Sequence, residues 1–357
     1  MRAYNFSTNL LLAITCVSFI SCSSKQDVKK QISTIDQTLQ IKATSILENK
    51  LSEINALSGQ VIIMEVQSGQ IKALVGLEKK NTKNYQSCNN FVHSQESGLM
   101  QPISLLTALE TGKVKMSDTV NTENGICKVL NGEIKDHNWQ RGGYGKITVE
   151  QGLACGSNIA TYKTTEKTFG DNPQAYFDIL TKMSYGKPDS VTGINNLKPA
   201  SFVTPKDRNW SNASFAWLCI GYKQLISPIQ TLTFYNAIAN NGKMVKPQLY
   251  KGSTVIINPQ IASQGTIKNI QHGLERVVTE GLGKPASIEN ISIAGKTGII
   301  SLNDKEEIFR LEFCGYFPVK NPQYTAIVII NKKGLPASSG LMAGDTFKQV
   351  VEFLMKK

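Results

Sequence analysis

Apolar positions along this chain fall into runs with distinct periods. From Leu10 to Ile20 the sequence is mostly apolar, but the run is too short to cross a bilayer as a helix. Further on, "STIDQTLQIKATSILENKLSEINA" sets Leu39, Ile41, Ile46 and Leu51 in a polar background and predicts a helix packing one face. "GQVIIMEVQSGQIKALVGL" follows, two β-branched runs around Gln67-Ser68-Gly69-Gln70, and predicts a hairpin. "PISLLTALETG" predicts a helix with proline near its first turn and Gly112 as its stop. "TVEQGLACGSNIATYKTTEKTFG" reads as helix interrupted at Gly156, and "SPIQTLTFYNAIANNG" as an amphipathic helix opened by Ser-Pro and closed by Asn-Gly.

The last third changes period. "ISIAGKTGII", "RLEFCGYFPV" and "YTAIVIINKKG" predict strands separated by turns, and "SGLMAGDTFKQVVEFLMKK" predicts a closing amphipathic helix. Helix and strand at both ends of a helical middle predict an α+β fold whose antiparallel sheet joins early and late strands, with a helical subdomain.

Composition adds bounds. With 357 residues, 41% of them hydrophobic, the chain can bury one large core or two small ones. The net charge of +12 comes from scattered lysines without interleaved aromatics, which argues against a nucleic-acid partner. An early Arg2, the short apolar run and Ser21-Cys22 have the form of an export signal. A small residue directly before a cysteine, followed by "SSKQDVKK", resembles a bacterial lipoprotein signal, with Phe19 where leucine is usual. That resemblance implies lipidation at Cys22, a signal peptide over residues 1–21, a polar tether over 22–33 and a globular domain over 34–357. The location it implies is the cell envelope, lipid-anchored on the periplasmic or extracellular side of a membrane. Cys88, Cys127, Cys155, Cys219 and Cys314 are too widely spaced for a metal or redox motif, and the three histidines lie far apart. No metal and no cofactor are expected.

Taken in order, these segments resemble the transpeptidase domain of class B penicillin-binding proteins. "GQVIIMEVQSGQIKALVG" is similar to that family's opening hairpin, and "PISLLTALETG" to the helix after its active serine. "GGYGKITVEQGLACGSNIA" is similar to the segment ending in its second motif, and "VVTEGLGKPASIENISIAGKTG" to the approach to its third. The resemblance implies the penicillin-binding-protein transpeptidase / β-lactamase-like fold, with neither pedestal nor glycosyltransferase domain expected in this chain.

The family's chemistry uses S-x-x-K, S-x-N and K-T-G. Anchored on Pro102, Gly98 falls at the nucleophile and Gln101 at the lysine base; a one-residue gap would instead place Ser97 at the nucleophile and Met100 at the base. Glycine has nothing to acylate, and a glutamine amide takes no proton at neutral pH. Losing the nucleophile of a serine hydrolase costs on the order of 10⁶-fold in rate. Gly98 as a helix cap and Gln101 bonding back to it would give an ordinary helix start.

At the second motif Gly156 stands for the first serine, with Ser157 and Asn158 following; Lys296-Thr297-Gly298 is intact. The resemblance implies that Ser157, Asn158, Lys296, Thr297 and Gly298 bind substrate, the last three along a strand edge. The string Ser184-Tyr185-Gly186-Lys187 matches S-x-x-K but reads as a turn, and Cys155 reads as a small buried residue rather than a thiol nucleophile. The expectation is a transpeptidase homologue that leans towards no enzymatic activity. It would hold peptidoglycan stem peptides or β-lactams, or serve as scaffold or sensor for cell-wall synthesis proteins. The alternative is an active D,D-transpeptidase or carboxypeptidase with a non-standard nucleophile or base.

Overall fold

The computed structural model describes residues 31–80, 84–130 and 132–356. Its central feature is a six-stranded antiparallel sheet joining the two ends of the described chain. From one edge the order is Ala294–Asn303, Ile308–Phe317, Tyr324–Lys333, Ser58–Glu65, Ile71–Glu78 and the short Gln86–Ser87. The seam between late and early sequence runs from Ser58 opposite Asn331 to Glu65 opposite Tyr324. The predicted hairpin forms, with Gly69 at φ +75° in its turn. A side chain there would meet the Lys246 carbonyl at 2.4 Å, so both conformation and space demand glycine.

The central strands are covered on both faces, which explains their unbroken apolar runs. Val61, Ile63, Phe313 and Val328 pack under the N-terminal helix Gln37–Glu53 and the C-terminal helix Asp345–Met355. Ile62, Met64, Cys314 and Ile327 face the helical subdomain on the other side. Asp36 caps the N-terminal helix by accepting from the Leu39 N–H at 2.9 Å. Leu39, Ala43, Ile46, Leu47 and Leu51 form its buried face. Ile41, expected on that face, is 70% exposed. Two residues from Leu39 is over half a turn of helix, so the two cannot share a side.

The helical subdomain contains Gln101–Glu110, Val149–Ala154, Asn158–Phe169, Pro173–Lys182, Pro228–Ala239 and Gln264–Thr279. The break at Gly156 is real, with φ at +67°. Pro228–Ala239 is not amphipathic as expected: all twelve residues are buried. Its polar side chains find partners inside. Gln230 donates to the carbonyls of Pro188 and Lys198, and Asn236 donates to Val66 and accepts from Thr325. Gln264–Thr279 adds to the expected elements, burying Ile267, Ile270, Leu274 and Val277 at three- and four-residue spacing.

The five described cysteines are free, with Cys219 and Cys314 buried. Ser184 sits in a turn at φ +58°, and Lys187 pairs with Asp189. The expected signal peptide and Cys22 lie outside the described residues. Among the described residues, no helix is long and apolar enough to cross a membrane.

Candidate active site

Three pieces of backbone meet beside the sheet's edge strand, Ala294–Asn303. They are the start of the helix Gln101–Glu110, the break between Val149–Ala154 and Asn158–Phe169, and the edge strand itself. Between them lies a cavity of about 220 Å³ lined by Gly98, Gln101, Gly156, Asn158, Lys296, Thr297 and Gly298. The structure thus brings together seven of the residues singled out in the sequence. Ser157 stays out: it is fully buried, donates to Asp136 at 2.8 Å and caps its helix by accepting from the Ala160 N–H at 2.9 Å.

At Gly98, a Cβ would lie 2.5 Å from the Ile299 amide nitrogen and 2.9 Å from the Gly298 Cα. Real side chains do not approach backbone so closely, so this turn rests on the edge strand with no room for serine. Ser97, not Gly98, caps the turn, accepting from the Leu99 N–H at 3.3 Å. Its hydroxyl does not line the cavity but donates to Glu312, 3.0 Å from Oε2. Glu312 also accepts from the Gly98 N–H at 2.7 Å and from Arg310 Nε at 2.8 Å. Arg310 in turn reaches Gln95. Arg310 and Glu312 are at most 1% exposed, so residues 95–98 are strapped to the sheet by a buried ion pair. Nothing in the three family motifs pointed to that pair.

Gln101 does not bond back along its own turn as a capping box would. Its Nε2 donates across the cavity wall to the Gly156 carbonyl at 3.2 Å and to Asn158 Oδ1 at 2.8 Å. Lys296 is 2% exposed, and its Nζ donates to the Thr297 carbonyl at 2.7 Å. Burial pushes the pKa of its ammonium down to about 8. The Cys155 thiol is pushed up, chiefly by burial, which argues against a thiolate nucleophile. His137 also lines the cavity and was missed in the sequence. Burial, with help from Arg141 and Lys296, pulls its pKa down, and its ring lies beside the Tyr144 hydroxyl.

An acyl-transfer site needs a nucleophile with its base, and donors aimed at the oxygen where negative charge develops. Here the Gly98 N–H is engaged by a carboxylate, and a side chain at position 98 would begin 2.5 Å from the Ile299 nitrogen. On the same strand, the Gly298 carbonyl accepts from the Ser339 hydroxyl. The strand edge that would pair with an extended peptide is therefore met at several points by the protein itself. What stays open is a pocket with one buried cation, amide groups and hydroxyls.

Known proteins resemble this chain along most of its length. A family model described as the penicillin binding protein transpeptidase domain matches residues 59–352. Peptidoglycan D,D-transpeptidase FtsI of Escherichia coli strain K12 is 23% identical over 326 residues, 87% of this chain and 53% of the relative. Probable peptidoglycan D,D-transpeptidase PbpC of Pseudomonas aeruginosa is 25% identical, over 89% of this chain and 57% of the relative. The chain thus spans a little over half the length of these curated relatives. Among solved structures, the transpeptidase domain of Burkholderia pseudomallei penicillin-binding protein 3 superposes with a TM-score of 0.78 at 22% identity, covering 94% of this chain and 97% of that one.

Proposed function

Because the chain belongs to the penicillin-binding protein transpeptidase family, we propose that it is a member that does not form an acyl-enzyme. In this reading it holds a peptidoglycan stem peptide or a β-lactam noncovalently, as a scaffold or sensor beside cell-wall synthesis proteins. The observation that carries it is Gly98: the place for a serine side chain is filled by the backbone of Gly298 and Ile299. Gln101 at the base position and Gly156 at the second serine position support it further. The surviving Lys296 supports retention of a carboxylate-binding role. A buried cation with no carboxylate among the described lining residues favours an anionic guest.

The alternative, an active D,D-transpeptidase or carboxypeptidase, would need Ser97 or Cys155 as nucleophile. The Ser97 hydroxyl faces Glu312 outside the cavity, and the Cys155 thiol is held protonated by burial. Incubating the purified protein with excess fluorescent penicillin, then running a denaturing gel and intact mass, separates the readings. No adduct is expected under conditions where an active relative labels fully, and a stoichiometric adduct would overturn the proposal.

The envelope location includes a lipid anchor at Cys22, supported by the small residue before it and the short apolar run upstream. Metabolic incorporation of a palmitate analogue is expected in the wild type and should vanish in Cys22→Ala. Equal incorporation in both would refute the assignment.

A further inference from the structure

The direction of the amide chain through Gln101 bears on what this cavity selects. It begins at a fixed acceptor, the backbone carbonyl of Lys135, to which Asn158 Nδ2 donates at 3.1 Å. That bond orients the Asn158 amide and leaves its Oδ1 to accept from Gln101 Nε2 at 2.8 Å. Gln101 Nε2 also donates to the Gly156 carbonyl at 3.2 Å. Flipping the Gln101 amide would set its oxygen against two other oxygens, so the orientation follows from the partners. Gln101 Oε1 is then left buried, with no hydrogen-bond partner among the described residues, in a side chain 4% exposed.

This orphan acceptor borders a gap that Lys296 also reaches. A side chain at Gly156 would begin 4.0 Å from Gln101 Oε1 and 3.4 Å from Lys296 Nζ. An acceptor and a cationic donor therefore flank one small space, and among the described residues no aspartate or glutamate lines the cavity. A guest with a carboxylate for Lys296 suits that charge. A positive charge elsewhere on the guest would find no anion there, so its donor group has to be neutral. The two groups border the place that a Gly156 side chain would take, so a guest that meets both carries its neutral N–H close to its carboxylate.

We infer that Gln101 is a specificity-determining residue: its Oε1 accepts from a neutral N–H of a carboxylate-bearing guest and excludes guests that present an oxygen there. The inference rests on the noncovalent-binding reading above. A lysine at position 101 would offer donors, so glutamine reverses the hydrogen-bond polarity of that wall. A buried acceptor left unmatched makes such a site reject an analogue that lacks the donor.

The test is calorimetric titration of the full chain with two probes of matched shape. N-acetyl-D-alanyl-D-alanine carries the N–H beside its terminal carboxylate, and N-acetyl-D-alanyl-D-lactate replaces that N–H with an ester oxygen. In the wild type the amide should bind about tenfold or more tightly than the ester, a comparison that needs no variant. In Gln101→Leu the gap should shrink to about threefold or less, since a methyl group distinguishes the two poorly. Equal affinities in the wild type, or an undiminished gap in a folded Gln101→Leu, would overturn the inference while leaving noncovalent binding intact. Binding of neither probe at millimolar concentration would remove the binding reading, and this inference with it.

Discussion

Glu312→Ala is expected to destabilise the domain by about 3–5 kcal/mol, the usual consequence of removing one partner from a buried ion pair. The carboxylate is fully buried and serves three donors: Arg310 Nε, the Ser97 hydroxyl and the Gly98 N–H. Without it, the Arg310 guanidinium keeps, among the described residues, its contact with Gln95 as compensation. The Gly98 N–H, pressed against the edge strand, would also lose its acceptor. Denaturant unfolding of the purified variant checks this, with the midpoint falling and the slope unchanged. Arg310→Met/Glu312→Leu sharpens the test. Exchanging a buried pair for apolar side chains is often neutral, but here the Ser97 hydroxyl and Gly98 N–H would still lack their acceptor, at about 1–3 kcal/mol. The double variant should therefore recover part of the loss and not all of it. A loss below about 1 kcal/mol for Glu312→Ala would mean that the strap does not hold the turn.

The strap escaped the sequence for a physical reason. "RLEFCGYF" places Arg310 and Glu312 two residues apart, on one face of a strand. In a sheet with one wet face such polar positions point to solvent. They are buried here because the helical subdomain covers that face too, and a strand's own sequence does not say what lies above it. The residue types at the two positions that the motif alignment picks out were legible, since Gly98 carries no side-chain nucleophile and the Gln101 amide no basic nitrogen whatever surrounds them. The sheet was legible for a similar reason: β-branched runs such as "VIIM" and "TAIVII" between turn residues leave few alternatives to a strand. The burial of Pro228–Ala239 on all sides was not, because its threonines, Asn236 and Gln230 look solvent-facing until their partners are known. Contacts between segments far apart in sequence, such as Ser97 with Glu312, belong to this second class.

Placing the family's motif residues at positions 98 and 101 is expected not to produce acylation: Gly98→Ser/Gln101→Lys should give no penicillin adduct above background. The substitution returns a hydroxyl and an amine, nominally recovering a rate factor on the order of 10⁶. Three features of the fold oppose it. The new Cβ would lie 2.5 Å from the Ile299 nitrogen, so the turn or the edge strand must shift before a hydroxyl fits. The Gly98 N–H remains bound to Glu312 and cannot serve a developing oxyanion, a loss worth roughly 10²–10³ in rate by itself. At the second motif, Gly156 supplies no hydroxyl, and its φ of +67° resists a side chain. The lysine put in place of Gln101 would also stand across the small cavity from Lys296, with no aspartate or glutamate among the described lining residues. Two cations sharing that space would lower each other's pKa, so an amine able to act as base is the one element this variant should regain. Intact mass after overnight incubation reads the outcome. Stoichiometric labelling mapped to the serine introduced at position 98 would show that the turn lifts off the edge strand readily, and that these two side chains are enough for acylation.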